Sequence, residues 1–138
     1  MTTSIIALEK DLFFSVKIRD TLRHHAMEAT IARTLAAFEQ GLNATPAPTL
    51  AIVDIATIGV DWEAAIRAAR ARQLPVLAFG SHMDLEARTR ALKAGAHKVV
   101  ANSKFSTDMP GLINRLRDTV TKQGVSNAVE DEEDSEFD

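Results

Sequence analysis

The chain contains no cysteine and no tyrosine, and only six glycines and one tryptophan among its 138 residues. Without cysteine, a disulfide framework, a thiolate metal site and a cysteine nucleophile are all excluded. The few glycines do not assemble into a phosphate-binding loop after any predicted strand, which argues against a nucleotide-dependent enzyme. No serine lies in a G-x-S-x-G elbow, so the usual hydrolase signature is missing as well.

Long hydrophobic runs are also missing. No apolar stretch approaches the length needed to cross a membrane, and residues 1–30 lack the basic start and apolar block of a signal peptide. We therefore expect a cytoplasmic protein with no membrane contact. The length is that of one ordinary domain with a real hydrophobic core.

The formal net charge of −3 conceals an uneven distribution. Seven of the nineteen acidic residues lie in 130–138, and residues 1–129 carry a net charge of +4, concentrated in 82–122. The acidic run cannot bury enough apolar surface to fold, and we expect a disordered tail over 123–138. The positive excess is too small, and includes no dense run of arginine and lysine, to predict nucleic-acid binding.

Five apolar runs of strand length alternate with five amphipathic segments of helix length, which predicts a parallel sheet covered by helices on both faces. In the first helix, Leu12, Phe13, Val16, Ile18 and Leu22 are predicted to face the core. The predicted strands are 4–8, 28–33, 50–56, 74–79 and 98–101; the predicted helices are 12–24, 34–42, 61–72, 84–94 and one beginning at Thr107 or Asp108.

A carboxylate, Asp54, lies near the end of the apolar run 50–56. A buried carboxylate is costly unless it is paired, binds a cation or reaches solvent at the end of its strand. The carboxyl ends of parallel strands are where open α/β sheets place their sites, so Asp54 is the first candidate functional residue. The alternative is that Asp54 only caps the following turn.

The four histidines, His24, His25, His82 and His97, lack the i, i+4 spacing and acidic partners of a metal site. We expect them to be surface residues.

Three stretches resemble the receiver domain of bacterial response regulators. Leu50-Ala-Ile-Val-Asp54 is similar to the phospho-acceptor strand, Leu74-Pro-Val-Leu-Ala-Phe-Gly-Ser81 to the strand that delivers a switch hydroxyl, and Ala91-Leu-Lys-Ala-Gly-Ala96 to the helix end before the last strand. The resemblance covers about residues 4–121. It implies a flavodoxin-like, doubly wound (βα)5 fold with a five-stranded parallel sheet in the order 2-1-3-4-5, in a single domain over 1–122.

The resemblance also implies a site. Asp54 matches the phospho-acceptor and Ser81 the switch hydroxyl, while Asp11, Asp54 and Glu9 are the candidate ligands of a Mg²⁺ ion that would offset phosphoryl charge.

The sequence departs from the receiver pattern at several positions. Counting back from Ile18 puts Lys10 where a second acid is usual, and counting on from Gly95 puts Asn102 at the usual lysine and Ser103 at the usual cis-proline. Val99 occupies the position that is often an aromatic switch residue.

Two functions follow from this pattern, and neither is enzymatic. The favoured one is a divergent response-regulator-like signalling protein that acts by protein–protein interaction with weak or lost phospho-acceptance, a pseudo-receiver. The alternative is a fully functional phospho-accepting receiver. The expected partner is a sensor histidine kinase or another signalling protein, and a homodimer through the fourth helix, last strand and last helix is a further prediction.

Overall fold

The computed structural model describes residues 3–123, with side chains described as far as Thr119. Five strands and five helices alternate along the chain, as predicted. The predicted acidic tail lies outside the described residues except for Gln123. Within the described part of the chain, no helix is both long and apolar enough to span a membrane. The elements are β1 (Thr3–Leu8), α1 (Leu12–Arg23), β2 (Met27–Ala32), α2 (Leu35–Leu42), β3 (Leu50–Asp54), α3 (Trp62–Ala71), β4 (Val76–Gly80), α4 (Leu85–Ala94), β5 (Lys98–Ala101) and α5 (Asn102–Gln123).

All five strands are parallel, and their order is β2-β1-β3-β4-β5. Helical crossovers are needed to join parallel strands, which accounts for the strict alternation of elements. The flavodoxin-like fold and the strand order 2-1-3-4-5 are therefore confirmed. All five strands end at one edge of the sheet, and the loops that follow them meet there.

The sheet separates two hydrophobic cores. Alternate side chains of each strand point to opposite faces, so a strand such as β3 contributes Ile52 to one core and Val53 to the other. Helices α1 and α5 pack on one face, and α2, α3 and α4 pack on the other. The central strands are buried on both sides, which explains their unbroken apolar sequences.

Side-chain caps fix where the helices begin. The hydroxyl of Thr34 and the carboxylates of Asp61 and Asp84 each accept a hydrogen bond from the backbone N–H of the residue three positions later, at 3.0 Å. Helix α4 ends at Gly95, whose φ of +122° a residue with a Cβ would adopt only with strain. These boundaries agree with the sequence prediction.

The predicted core face of α1 is partly wrong. Leu12, Phe13 and Val16 are 63%, 84% and 54% exposed, whereas Ile18 and Leu22 are buried as expected. The buried face of the helix continues backward from Leu22 and Ile18 to Ser15, which leaves the other three on the outside. Three large apolar side chains are therefore presented to solvent at the start of α1.

The last helix begins earlier than predicted. Residues from Asn102 onward are already helical directly after β5, and a break at Asp108 (φ −135°, ψ 33°) separates this first segment from the rest of α5. The predicted start at Thr107 or Asp108 corresponds to that break. Pro110 follows it in a first turn, where a proline is tolerated.

His97 is not a surface residue, in contrast to the prediction. It is fully buried just before β5, and its ring Nδ1 accepts the Val76 N–H at 3.0 Å. Its backbone N–H also donates to the Val76 carbonyl, so the residue extends the pairing of β4 with β5. His24, His25 and His82 are exposed, as expected.

Replacing Gly41 with alanine is expected to destabilise the protein through contact with one methyl group. A Cβ at Gly41 would meet Ile6 Cδ1, while Ile6 Cγ1 lies at an ordinary 3.5 Å. In an Ile6→Val background, which lacks Cδ1, the same change is expected to be neutral or stabilising, because alanine favours a helix over glycine by about 1 kcal/mol. Urea unfolding of the four proteins should show a coupling of about 1 kcal/mol or more, and simple additivity would contradict the contact.

Candidate functional site

A cavity of about 490 Å³ opens at the edge of the sheet where the strands end. It brings together four of the predicted site residues, Glu9, Asp11, Asp54 and Asn102. Ser81 is not among the described residues that line it, and its predicted role as switch hydroxyl stays a prediction. The complete lining is Glu9, Asp11, Phe14, Asp54, Ala56, Phe79, Asn102, Ser103 and Ser106.

The register of the sheet brings Glu9 and Asp54 together. Leu8 of β1 pairs with Val53 of β3, so the residues that follow them, Glu9 and Asp54, lie side by side at the ends of the strands. Glu9 is only 1% exposed and Asp54 is half-buried. Backbone donors hold one oxygen of each: the Asp11 N–H donates to Glu9 Oε2 at 3.1 Å and the Ala56 N–H to Asp54 Oδ1 at 2.8 Å.

The two carboxyl groups influence each other's protonation. Burial raises the pKa of Glu9 to about 8, with a further increase from the neighbouring Asp54. Burial also raises the pKa of Asp54, which the hydrogen bond to Glu9 and the Ala56 N–H partly counteract. Glu9 Oε1 accepts no N–H or O–H among the described groups. Two carboxyl groups can hydrogen-bond to each other only when one of them carries a proton. We interpret the pair as sharing a proton at neutral pH.

Asp11 is a third acidic side chain beside the pair. Its Oδ1 accepts the Phe14 N–H at 2.8 Å and so caps α1, and its charge contributes to raising the pKa of both Glu9 and Asp54. Within residues 3–123, however, no group of three acidic or histidine side chains has an arrangement that could hold a metal ion. The carboxylate oxygens suit Mg²⁺ chemically, and an ion held by one or two of them keeps several waters.

Lys10 does not take the place of the second acid. Its ammonium donates to the Ile58 carbonyl at 3.1 Å, and its own carbonyl accepts two N–H groups of Arg33 at 3.1 and 3.2 Å. Glu9, one residue earlier, occupies the position beside Asp54. The structure therefore places Glu9 beside Asp54, and not Lys10 as the count back from Ile18 predicted.

The far wall of the cavity comes from the first turns of α5. Asn102, Ser103 and Ser106 line it because the chain becomes helical directly after β5. Val99, the other altered receiver position, is fully buried in the core under α3 and α4. The hydroxyl of Ser81 accepts the Met83 N–H at 3.1 Å and so closes a local turn.

An aromatic cluster forms the floor of the cavity. Phe79 and Phe105 stack with ring centroids 4.1 Å apart and planes 3° from parallel, and the Phe14 ring meets Phe79 edge-on at 5.4 Å. Of these, Phe14 and Phe79 line the cavity. Phe79 pairs with Asp54 across β3 and β4, which is why an apolar residue of the core reaches the site.

Sequence reasoning missed Phe14, Phe79 and Ser106 as site residues. Phe79 was indistinguishable from its core neighbours in β4, and only the strand register shows that it lies beside Asp54. Ser106 was hidden because residues 102–107 were interpreted as a loop. The available signal was the absence of glycine and proline over that segment, which permits a helix.

The free energy of unfolding is expected to fall as the pH rises from about 5 to about 9. The pKa of Glu9 is about 8 in the folded protein, above its ordinary 4.5, so the folded state retains a proton that the unfolded state releases between these values. Glu9→Gln cannot ionise, and it should flatten this pH dependence and exceed the natural protein in stability by about 1 kcal/mol or more at high pH. Denaturant unfolding across the pH range measures both effects.

The matched control is Glu39→Gln, which removes a carboxylate from the exposed face of α2. It should keep the pH dependence of the natural protein. Parallel stability curves for Glu9→Gln and the natural protein would contradict the raised pKa.

Solved structures with the same fold are response-regulator proteins. NtrX from Brucella abortus in complex with ADP superposes with a TM-score of 0.77 at 20% identity over 91% of this chain, which spans only 30% of the NtrX chain. A CheY-like receiver domain protein from Methanospirillum hungatei gives 0.77 at 20% identity, covering 90% of this chain and 100% of that one. A putative response regulator from Chloroflexus aurantiacus gives 0.76 at 17% identity, covering 86% and 99%.

No protein-family profile and no curated protein sequence matches the chain. The identities to the solved structures are low, and what they establish is the fold. The chain has the fold of response-regulator receiver domains, as the sequence resemblance implied.

Proposed function

We propose that this protein is a receiver-like signalling module that acts by binding a partner protein at the edge of the sheet where the strands end, with weak or lost phospho-acceptance at Asp54. The partner would be a sensor histidine kinase or another signalling protein, as in the family that the chain resembles. The observation that carries the proposal is a set of large exposed apolar side chains on the segments that follow the strands at this edge of the sheet.

These side chains come from three segments that follow the carboxyl ends of β1, β3 and β4. They are Leu12, Phe13, Val16, Ile58, Met83 and Leu85, which are between 54% and 84% exposed. Scattered apolar side chains are normal on a surface, but several large ones on the segments that follow one edge of a sheet are typical of an interaction site. The exposed apolar side chains and the central carboxylates thus favour a protein partner that covers this edge.

The chemistry at Asp54 favours weak phospho-acceptance. A carboxyl group attacks phosphorus as its anion. Burial and the nearby charge of Asp11 disfavour that form of Asp54, and the hydrogen bond from Glu9 and the Ala56 N–H offset this only in part, because the pKa of Asp54 remains raised. The described lining holds no lysine or arginine to neutralise a bound phosphoryl group. Mg²⁺, held by Asp54 and Glu9 with Asp11 nearby, would supply the missing positive charge when bound.

The alternative, a phospho-accepting receiver, is favoured by one feature. Asp54 lines the cavity, where a phosphoryl donor would enter, and its Oδ1 is fixed by the Ala56 N–H. In that case the partner kinase would transfer its phosphoryl group to Asp54, and Asn102 and the nearby hydroxyls would contact the phosphoryl oxygens.

Incubation with a small-molecule acyl phosphate and Mg²⁺ is expected to leave the intact mass of the protein unchanged, because the anionic form of Asp54 is disfavoured and the described residues that line the cavity include no lysine or arginine. Intact-mass spectrometry measures this directly. A gain of one phosphoryl group that disappears in Asp54→Asn would overturn the weak-acceptor form of the proposal and establish the alternative.

Photo-crosslinking in the cells that produce the protein locates the partner surface. A photoreactive residue at Phe13 or Met83 should give the same crosslinked partner, whereas one at Glu39 on the outer face of α2 should give none. Crosslinks formed instead between two copies of the chain from Lys93 or Arg115 would support the homodimer through α4, β5 and α5. That face is positively charged in both copies, which opposes such a dimer.

A further inference from the structure

The outer edge of β2 is open. β2 is the first strand of the sheet, and among the described residues it pairs with β1 alone. The Thr3 N–H donates to the Ala26 carbonyl at 3.4 Å, so Ala26 directs its backbone groups to β1. Alternate residues of a parallel strand direct these groups to opposite sides. The N–H and C=O groups of Met27, Ala29 and Ile31 therefore point away from the sheet, where a further strand could pair with them.

A cavity of about 470 Å³ lies along this edge. Its lining consists of Arg19 and Arg23 of α1 together with residues 26–30. Side chains alternate between the two faces of a strand, so a run of consecutive residues lines one cavity where that cavity follows the edge of the strand. The cavity thus gives access to the outward backbone groups of Met27 and Ala29.

Two exposed arginines border the cavity. Arg19 and Arg23 are four residues apart on α1, so they lie on the same side of the helix. Arg19 forms no ion pair with a described residue, and Arg23 approaches the exposed Asp20 at 3.7 Å. Glu28 is the one acidic residue of the described lining. The lining therefore carries more positive than negative charge, which favours an anionic occupant.

The positively charged surface formed by α4, β5 and α5 suits such an occupant less well. Two of its cations are already paired, Arg90 with Glu63 at 2.6 Å and Arg115 with Asp108 at 2.7 Å. An acidic segment that bound there would have to replace these contacts. β5, the strand at the other edge of the sheet, has four residues, whereas β2 has six. The edge of β2 is the better surface for an extended acidic segment.

The chain itself contains an acidic segment within reach of this edge. Residues 130–138 lie outside the described residues and include seven carboxylates. Helix α5 begins where the strands end and runs back along β5 and β4, so it ends near the edge of the sheet where β2 begins. β4 and β2 are three strand spacings apart, about 14 Å. The connection 124–129 spans up to about 20 Å, which is sufficient.

We propose that residues 130–138 bind along the open edge of β2 as an added, extended strand, with carboxylates on Arg19 and Arg23. Backbone hydrogen bonds to the edge and ion pairs with the arginines hold the segment. Exposed ion pairs are weak individually, but the short connection gives the segment a high effective concentration at the edge. The added strand would also block pairing of this edge with a second copy of the chain.

This inference goes beyond the proposed function and does not depend on it. Residues 26–30 lie at the amino end of β2, whereas the candidate site lies where the strands end. A partner could therefore bind at the candidate site while residues 130–138 remain on the edge of β2.

The absence of cysteine allows a clean test in the full-length chain. A nitroxide attached to Ser135→Cys, which leaves every carboxylate in place, should broaden the amide signals of Arg23, Met27 and Ala29 selectively. About 0.5 M NaCl should remove most of this broadening, because the Debye length then falls below about 5 Å. A mixture of isotope-labelled natural protein and unlabelled, nitroxide-bearing protein should show no selective broadening, because the contact forms within one chain.

Two double variants of the labelled chain separate the proposed contact from general charge attraction. Arg19→Gln with Arg23→Gln should reduce the broadening at Met27 and Ala29 about threefold or more. Arg67→Gln with Arg72→Gln removes the same charge from exposed positions of α3 and its end, on the opposite face of the sheet, and should leave the broadening unchanged. Amide-shift dispersion shows whether each variant remains folded.

Hydrogen exchange gives a second measurement that needs no label. The Ala29 N–H points outward, so its exchange should accelerate in the Arg19→Gln, Arg23→Gln protein. The Glu28 N–H faces β1 and should exchange at an unchanged rate, which controls for global stability.

Four results would overturn the proposal. They are broadening confined to α4, β5 and α5, uniform broadening over the whole protein, selective broadening in the mixed sample, and equal loss of broadening in the two double variants. The third would show that the segment binds a second copy, and the fourth would show attraction without a specific surface. Selective broadening at Met27 and Ala29 that the Arg19→Gln, Arg23→Gln protein alone loses supports the proposal.

Discussion

The candidate site depends on two carboxyl groups that are held side by side where parallel strands end. The register of β1 against β3 places Glu9 beside Asp54, and each carboxyl group accepts a hydrogen bond from a backbone N–H. Two buried acids in contact cannot both be ionised without a large electrostatic cost. A shared proton or a bound metal ion would each remove that cost.

The rest of the fold maintains this arrangement. The pairing of Asp54 with Phe79 brings the aromatic cluster next to the carboxyl groups. Lys10 joins the first loop to the loop after β3 through a hydrogen bond to the Ile58 carbonyl, and Arg33, directly after β2, donates to the Lys10 carbonyl. The loops that frame the cavity are thus joined by hydrogen bonds from opposite sides. A site built in this way is preorganised for a small ligand.

The sequence predicts the fold well, since the helix caps and the β-branched runs are local signals. Thr34, Asp61 and Asp84 cap their helices in the structure, and Asp54 lies at the predicted edge of the sheet. The sequence predictions were wrong where the structure depends on contacts between residues that are far apart in the sequence. The face that α1 buries is set by its packing on the sheet and α5, so periodicity could not exclude Phe13 from the core. Burial of His97 depends on pairing with Val76, which no local pattern reveals.

Under the proposed function, the exposed apolar side chains and the carboxyl pair would act on each other through solvent. Water in the open cavity screens the charges of Glu9 and Asp54, and a partner seated on Phe13, Ile58 and Met83 would displace that water. Coulomb interactions strengthen as the local dielectric constant falls, so a cation already held between the two carboxyls would be bound more tightly under the partner. By thermodynamic linkage, the same cation would strengthen partner binding by an equal factor. The proposed arrangement would therefore couple the occupancy of the site to recognition of the partner without requiring phosphorylation.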